Sequence, residues 1–372
     1  MDMHKVGAVI LAAGYSKRQN GFKPLLPLGD KTVLEHGLHL FKDRGLRDIV
    51  VVLGHRAEEL SPLVKASGAK TVFNPDYDQG MFSSVQVGVA SLAASNQAFF
   101  VLPADIPLVR YLTIDCLVQA FRRENKADVI VPTFQNKTGH PPLIRDNLRT
   151  SILEHDGTQG LRGVLNKSKI VKTEVPDRHI LLDIDTPEQY QKALKLWERY
   201  SLPSPEEAEI LLKWECQENK EVVAHCQKVA QVAKELALAV NAAVDYKLDA
   251  ELVEVGALLH DIAKGEAKHT LAGARRIEEL GLSRELANIV AKHADYDPEP
   301  ESPVNETEIV YLADKLVKGT EFSNLDRRFE DKYHIYKDNP EALQGVQRRW
   351  KQARNIYERI EQASNYKLNL RY

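Results

Sequence analysis

Cysteine is scarce in this 372-residue chain: Cys116, Cys216 and Cys226 are the three it has, at spacings that match no disulfide framework and no metal-binding pair. That usage fits a reducing compartment. A formal net charge of -3 makes no global case for nucleic acid or a membrane surface as partner. No apolar run approaches the roughly 20 residues that a membrane helix needs. Met1 to Lys5 leads straight into an apolar run without the pattern of a signal peptide, so cytoplasm is the expected location. Neither GxGxxG nor GxxxxGK[ST] occurs at the first glycine-rich loop, which sets aside the dinucleotide fingerprint and the P-loop. No repeat joins the two halves. What remains is a globular composition, 43% hydrophobic and 28% charged, in a chain long enough for two or three domains.

Residues 11–29, LAAGYSKRQNGFKPLLPLG, organise the first half. They follow Val6–Ile10, an apolar run with the look of a buried parallel strand. After Leu11, the small residues Ala12-Ala13-Gly14 let backbone N–H groups approach a bound group closely. Arg18 and Lys23 add positive charge, so the loop suits a ligand with several acidic oxygens, a nucleoside triphosphate above all. Thr32 is placed to cap a helix, and strand patterns at 48–53, 70–73, 98–102 and 127–132 alternate with helical ones, which predicts an α/β sheet covered on both faces.

Three further stretches of this half carry chemistry. Asn74 to Gly88 is polar and glycine-punctuated before a helix that Ser83 or Ser84 could cap. Asp105 follows the strand at 98–102, where open α/β sheets place their ligands; magnesium would reconcile this carboxylate with a triphosphate. In Leu181 to Tyr190, period-two alternation predicts Asp183 and Asp185 on one strand face, with Thr186-Pro187 starting a helix.

Taken together these strings resemble the MobA-like nucleotidyltransferases, and most of all the molybdenum cofactor cytidylyltransferases, over residues 6–198. The resemblance implies a Rossmann-like fold. It places Leu11, Ala12, Ala13, Gly14, Arg18 and Lys23 around the triphosphate of CTP, and Ser83 and Ser84 near its base or ribose. It makes Asp105 and Asp185 the ligands of Mg²⁺, with Asp183 as the alternative to Asp185. Two segments are similar to the acceptor side of that family: Gly139-His140-Pro141, whose own sequence also reads as a turn before an edge strand, and the stretch ending at Arg162. His140 and Arg162 would then face molybdopterin, and a molybdoenzyme or its chaperone becomes a conceivable partner. The glycine expected two residues after Arg18 is Asn20 here, with Gly21 next.

After Ser201-Leu-Pro-Ser-Pro205 the pattern turns helical almost throughout, which sets domains at 1–202 and 203–372. His225, His260-Asp261, His269, His293 and Asp314 stand in or beside helical segments; His260 and Asp261 interrupt an apolar helix and Asp314 lies in another apolar stripe. A buried carboxylate needs a cation or a donor, and imidazole with carboxylate suits Mn, Fe, Zn or Mg. The set resembles the HD-domain metal-dependent phosphohydrolases over about 218–320. His225, His260, Asp261 and Asp314 match the H…HD…D positions, and His269 and His293 the further ligands of the dinuclear branch. This implies one or two ions, Mn, Fe or Zn, activating water for attack on a phosphoester or phosphoanhydride. Lys264, one helical turn beyond Asp261, reads either as a ligand of the substrate phosphate or as decoration of the helix end, and Lys315 and Lys318 after Asp314 are lesser candidates of the same kind. The alternatives are another triphosphate or acceptor for the first domain, a nucleotide-sensing role for the second, and a delivery protein for molybdoenzymes. Residues 321–372 are expected to be a helical extension, with Arg348, Arg349, Lys351 and Arg354 making a basic face that is either solvated, a lid or a dimer contact.

Overall fold

A computed structural model describes residues 3–16, 18, 21–217, 219–299 and 301–364; the departure at Asn20 lies outside them. The chain forms two compact units, Met1–Tyr200 and Ser201–Tyr372.

In the first unit the strands are β1 Val6–Ala12, β2 Pro27–Leu28, β3 Lys31–Thr32, β4 Asp48–Leu53, β5 Lys70–Phe73, β6 Ala98–Pro103, β7 Val129–Phe134, β8 Lys137–Thr138, β9 Leu143–Arg145 and β10 Ile170–Glu174. The helices are α1 Val33–Lys42, α2 Ala57–Ser67, α3 Met81–Ser91, α4 Tyr111–Arg123, α5 Arg149–Leu153, α6 Gly160–Leu165 and α7 Pro187–Glu198. The main sheet runs β10-β7-β9-β6-β1-β4-β5, with β8 on β7 and β2 paired only with β3. β1 lies parallel between β4 and β6. Every residue of β1, β4, β6 and β7 is buried, which is why these segments read as unbroken apolar runs rather than alternating ones. β9, like the short β8 on β7, departs from the parallel pattern. It runs antiparallel to both β6 and β7, inside the sheet, so the segment after His140 does not lead to an edge strand.

Thr32 caps α1 in a reciprocal box with Glu35, and Thr186 caps α7 in another with Gln189, Pro187 filling the first turn. The cap of α3 differs from expectation. Gly80, at φ 107°, takes the position before the helix, while the Ser83 hydroxyl donates to the Asp76 and Gly80 carbonyls at 2.9 Å each. Asp183 and Asp185 also depart from expectation. The preceding residues Arg178–Leu181 form a 3-10 turn, and 182–185 lies outside any strand, without a sheet partner among the described residues. The Ile184 N–H ties it to the loop after β6, donating to the Asp105 carbonyl at 3.0 Å.

α3 packs flat on the sheet through Gly88, where an added Cβ would meet Val9 Cγ1 at 2.3 Å and Val52 Cγ2 at 2.8 Å. Gly88→Leu is therefore expected to destabilise this unit by about 2–3 kcal/mol through overpacking, visible as a drop in Tm; an unchanged melting curve would contradict this packing.

The second unit is helical: α8 Pro205–Cys216, α9 Lys220–Ala243, α10 Ala250–Leu259, α11 His269–Glu279, α12 Arg284–Lys292, α13 Glu306–Lys315, α14 Leu325–Tyr336 and α15 Pro340–Ser364, with a short hairpin of β11 Val317–Lys318 and β12 Glu321–Phe322. Ser204 caps α8 with Glu207 and Pro205 begins it. α10 ends at Leu259, so His260 and Asp261 stand in the turn that follows rather than inside the helix. Among the described residues, no helix is long and apolar enough to cross a membrane.

Candidate active sites

The loop after β1 and the loop after β6 leave the sheet side by side, and the Ala104 N–H donates to the Leu11 carbonyl at 3.0 Å. Between them lies a cavity of about 250 Å³ lined by Leu11, Ala12, Ala13, Gly14, Ser16, Lys23, Pro24, Tyr77, Met81, Ser84, Pro103, Ala104 and Asp105. It sits at the carboxyl ends of the central parallel strands, where open α/β sheets hold ligands. Ser16, at φ 55°, turns the loop, and its hydroxyl accepts from the Lys23 N–H at 3.1 Å.

Lys23 is the hub. Its ammonium lies 2.5 Å from Asp185 Oδ1 and 3.3 Å from Asp105 Oδ2, so two carboxylates 80 residues apart in sequence share one nitrogen. Arg18 Nη2 reaches the other oxygen of Asp185 at 2.5 Å, with most of the guanidinium in solvent. Hydrogen bonding from Lys23, then its charge and that of Arg18, hold the Asp185 carboxyl below the ordinary carboxylate range against the effect of burial. Asp183 accepts instead from Gln189 at 2.7 Å.

Of the remaining residues, Ser84 is buried on the cavity wall and both Ser83 and Ser84 accept from Asn74 Nδ2 at 2.9 Å. Ser83 itself is not part of the lining. His140 is half-buried and close enough to feel the Asp105 charge, and its buried Nδ1 has no hydrogen-bond partner among the described residues. Burial lowers its pKa, so the ring is neutral near pH 7. Arg162 is exposed on α6, outside the lining.

In the second unit His225 on α9, His260 and Asp261 after α10, His269 opening α11, His293 ending α12 and Asp314 on α13 converge. Two triads have ligand atoms within 4.8 Å of one another, His225–His260–Asp314 and His260–Asp261–His293. The Asp261 carboxylate is central: Oδ1 lies 3.4 Å from both His269 Nε2 and His293 Nε2, and Oδ2 lies 3.5 Å from His260 Nε2. His225 Nε2 and His260 Nε2 stand 3.3 and 3.8 Å from Asp314 Oδ1.

The imidazoles are oriented from behind. Nδ1 of His225, His260 and His293 lies 2.8, 2.7 and 2.7 Å from the carbonyls of Gly319, Ala257 and Val290. A carbonyl accepts only, so each Nδ1 carries the proton and each Nε2 lone pair faces the cluster. This is the arrangement of metal-ligating histidines. Among the described residues, His260 Nε2 and Asp261 Oδ1 are buried without a hydrogen bond of ordinary geometry. Burial opposes ionisation of Asp261, yet His260 and His293 beside it, and Lys264 at 2.8 Å, hold its carboxyl far below the usual range. Asp314 is held down likewise, against burial, by Lys315 and His225. Burial lowers His269 and His293. His260 is raised despite its complete burial, because Cys226 and Asp261 lie beside it. The orphaned His260 Nε2 and Asp261 Oδ1, set among carboxylate and imidazole donors, fit a divalent ion.

The cluster opens into a cavity of about 720 Å³. Its lining includes cations that the sequence reading weighed lightly or passed over: Lys315, buried and 2.6 Å from Asp314 Oδ2, and Arg328, Lys332 and Arg349 from α14 and α15. Burial first, then the charges of Arg328, Lys315 and Arg349, push the Lys332 ammonium down to about 8. A lysine lowered by folding opposes the fold while the native group is forced to stay protonated, and stability rises as pH climbs from about 8 toward the unfolded value near 10.4. Lys332→Met is therefore expected to melt higher than the parent at pH 7, with the gap closing by pH 10.5; a gap independent of pH would contradict it.

Comparison with known proteins returns two family matches, the MobA-like NTP transferase domain over residues 8–173 and the HD domain over residues 222–319. The Escherichia coli molybdenum cofactor cytidylyltransferase is 29% identical over 200 residues, covering 54% of this chain and 99% of that protein. An uncharacterised protein of Methanocaldococcus jannaschii is 36% identical over 144 residues, 34% of this chain and 83% of its own. Among solved structures, a nucleotidyl transferase from Methanothermobacter aligns with a TM-score of 0.45 at 21% identity, over 52% of this chain and 98% of that one.

Proposed function

This chain belongs to the MobA-like NTP transferase family through residues 8–173 and carries an HD domain at 222–319, and on that premise we propose that it joins two reactions. The first unit transfers the cytidylyl group of CTP to molybdopterin, releasing pyrophosphate. The second hydrolyses a phosphoester or phosphoanhydride.

The observation that carries the first assignment is the convergence of Asp105 and Asp185 on Lys23 at the mouth of the glycine-loop cavity. Mg²⁺ held by the two carboxylates would supply charge neutralisation for the triphosphate. The residues of the chain do the rest. Backbone N–H groups around Gly14 approach the phosphates, and the Lys23 ammonium exchanges a carboxylate for a phosphate oxygen. Arg18, paired with Asp185 but mostly exposed, follows the charge that develops on the leaving pyrophosphate. Ser84 flanks the nucleoside, and neutral His140 positions the acceptor. An acceptor phosphate oxygen bonds to the α-phosphorus as the bond to the bridging oxygen breaks, so that catalysis is orientation and charge stabilisation. In the second unit, divalent transition ions such as Mn, Fe or Zn would be held by His225, His260, Asp261, His269, His293 and Asp314 and would lower the pKa of water. The three carbonyl-anchored imidazoles keep that set rigid, and Lys264 stands at its open side to receive substrate phosphate.

Similarity to a cytidylyltransferase supports CTP and molybdopterin as the substrates. Pyrophosphate release with Mg²⁺ and molybdopterin, measured separately with CTP, GTP, ATP and UTP, is expected with CTP alone. Equal release with a purine triphosphate, or none with any, would overturn this assignment.

A further inference from the structure

The HD-domain match ends at residue 319, yet part of the wall of the second cavity comes from beyond it. α14 brings Arg328, Phe329 and Lys332 to the lining, and α15 brings Arg349. Arg328 fastens this wall to the metal-ligating helix, its guanidinium donating to the carbonyls of Asp314 and Val317. The indole of Trp350 stacks on Phe329 at 6.1 Å and binds α14 to α15.

Lys332 and Arg349 differ from Lys264, Lys315, Lys318 and Arg328, the cations of the lining that are paired with carboxylates. Among the described residues neither side chain has a hydrogen-bond or ion-pair partner. The carboxylates that share the lining are engaged elsewhere or exposed: Asp331 pairs with Lys318 at 3.0 Å, Asp295 with Arg348, Asp261 with Lys264 and Asp314 with Lys315, Asp314 acting on Lys332 only through space, and Glu221 is exposed. Partly desolvated like charges, close enough to act on one another, are unfavourable unless an anion joins them. Across the cavity the histidine–aspartate cluster takes the scissile phosphate.

We propose that Lys332 and Arg349 form a second phosphate subsite, so that the substrate of this centre is a phosphoanhydride, such as a nucleoside di- or triphosphate, and not a simple monoester. This rests on the hydrolytic reading of the HD unit and narrows its substrate class. In the reaction, the oxygen of water bonds to the phosphorus held at the cluster and the bridging P–O bond to that phosphorus breaks. The bridging oxygen leaves on the second phosphate, which Lys332 and Arg349 hold, and one proton passes to solvent.

The test uses binding. The full-length protein is loaded with Mn²⁺ and titrated calorimetrically with methylenediphosphonate, whose P–C–P bridge water does not cleave, and with methylphosphonate as the single-phosphoryl probe. Lys332→Ala and Arg349→Ala are each expected to weaken the diphosphonate about tenfold or more, the loss of one charge-assisted hydrogen bond. Both should leave methylphosphonate within twofold, which also shows that fold and metals are intact, and Lys332→Arg should restore most of the diphosphonate affinity. Equal weakening of both probes, or no change in either, would overturn the subsite. Turnover plays no part in this readout, so a hydrolytically silent centre would count against the hydrolase reading alone.

Discussion

Asp261→Ala is expected to remove at least half of the transition metal bound per chain and to lower phosphoanhydride hydrolysis by about a thousandfold or more. The carboxylate is the common member of the cluster. One oxygen faces His269 and His293, the other faces His260, so no second residue takes over when it goes. Loss of a group that holds and charge-matches a catalytic ion removes most of the stabilisation of the transition state. The metal should also be visible in stability. At 100 to 1,000 times its Kd a ligand adds about 3–4 kcal/mol, which in a unit of this size is a rise of roughly 6–16 °C in Tm. The parent protein should show that rise with Mn²⁺ and the variant should not. His269→Ala, which removes a partly exposed member of the set, should keep part of both effects. Full metal content and an undiminished Mn²⁺ effect in Asp261→Ala would show that the cluster is held together for another purpose.

Asp105→Ala in the first unit is expected to slow pyrophosphate release about 10²–10³-fold, the usual scale for removing one electrostatic element of an active site. Asp183→Ala, by contrast, should cost less than about threefold. The two differ in what they touch: Asp105 shares the Lys23 ammonium with Asp185, whereas Asp183 accepts from the Gln189 side chain at the start of α7. Single-turnover rates on the three proteins would separate them. Similar losses for Asp105 and Asp183 would mean that the Lys23-centred geometry is not the one that binds the triphosphate.

How much of this could be read from the residues depends on how local the cause was. Buried parallel strands are continuous apolar runs, and Thr32, Thr186 and Ser204 announce their helices through side chains that bond three residues on. Those features were legible. The antiparallel β9 was not, because three residues carry no period and its place between β6 and β7 is set by partners distant in sequence. Asp183 and Asp185 alternate like a strand, and their neighbours Leu182 and Ile184 are buried while they are not. The alternation is real but comes from packing on one side, without a hydrogen-bonded neighbour. Histidines and aspartates of the second unit could be picked out because a charged group inside an apolar helix pattern is costly. Lys332 and Arg349 sit on helices rich in charge, where nothing in the local pattern separates a solvated lysine from one turned into a cavity. Only the fold of α14 and α15 over the cluster does so.

The central claim is that one chain holds two chemically separate centres, and a crossed measurement tests it most directly. Pyrophosphate release from CTP with molybdopterin, and phosphate release from a phosphoanhydride with Mn²⁺, would be followed in parallel for the parent, Asp105→Ala and His260→Ala/Asp261→Ala proteins. The account predicts that Asp105→Ala loses the first product and keeps the second within about twofold, and that the double variant does the reverse, since each set of residues lies wholly within its own unit. Loss of both products in either variant, or of neither, would contradict it.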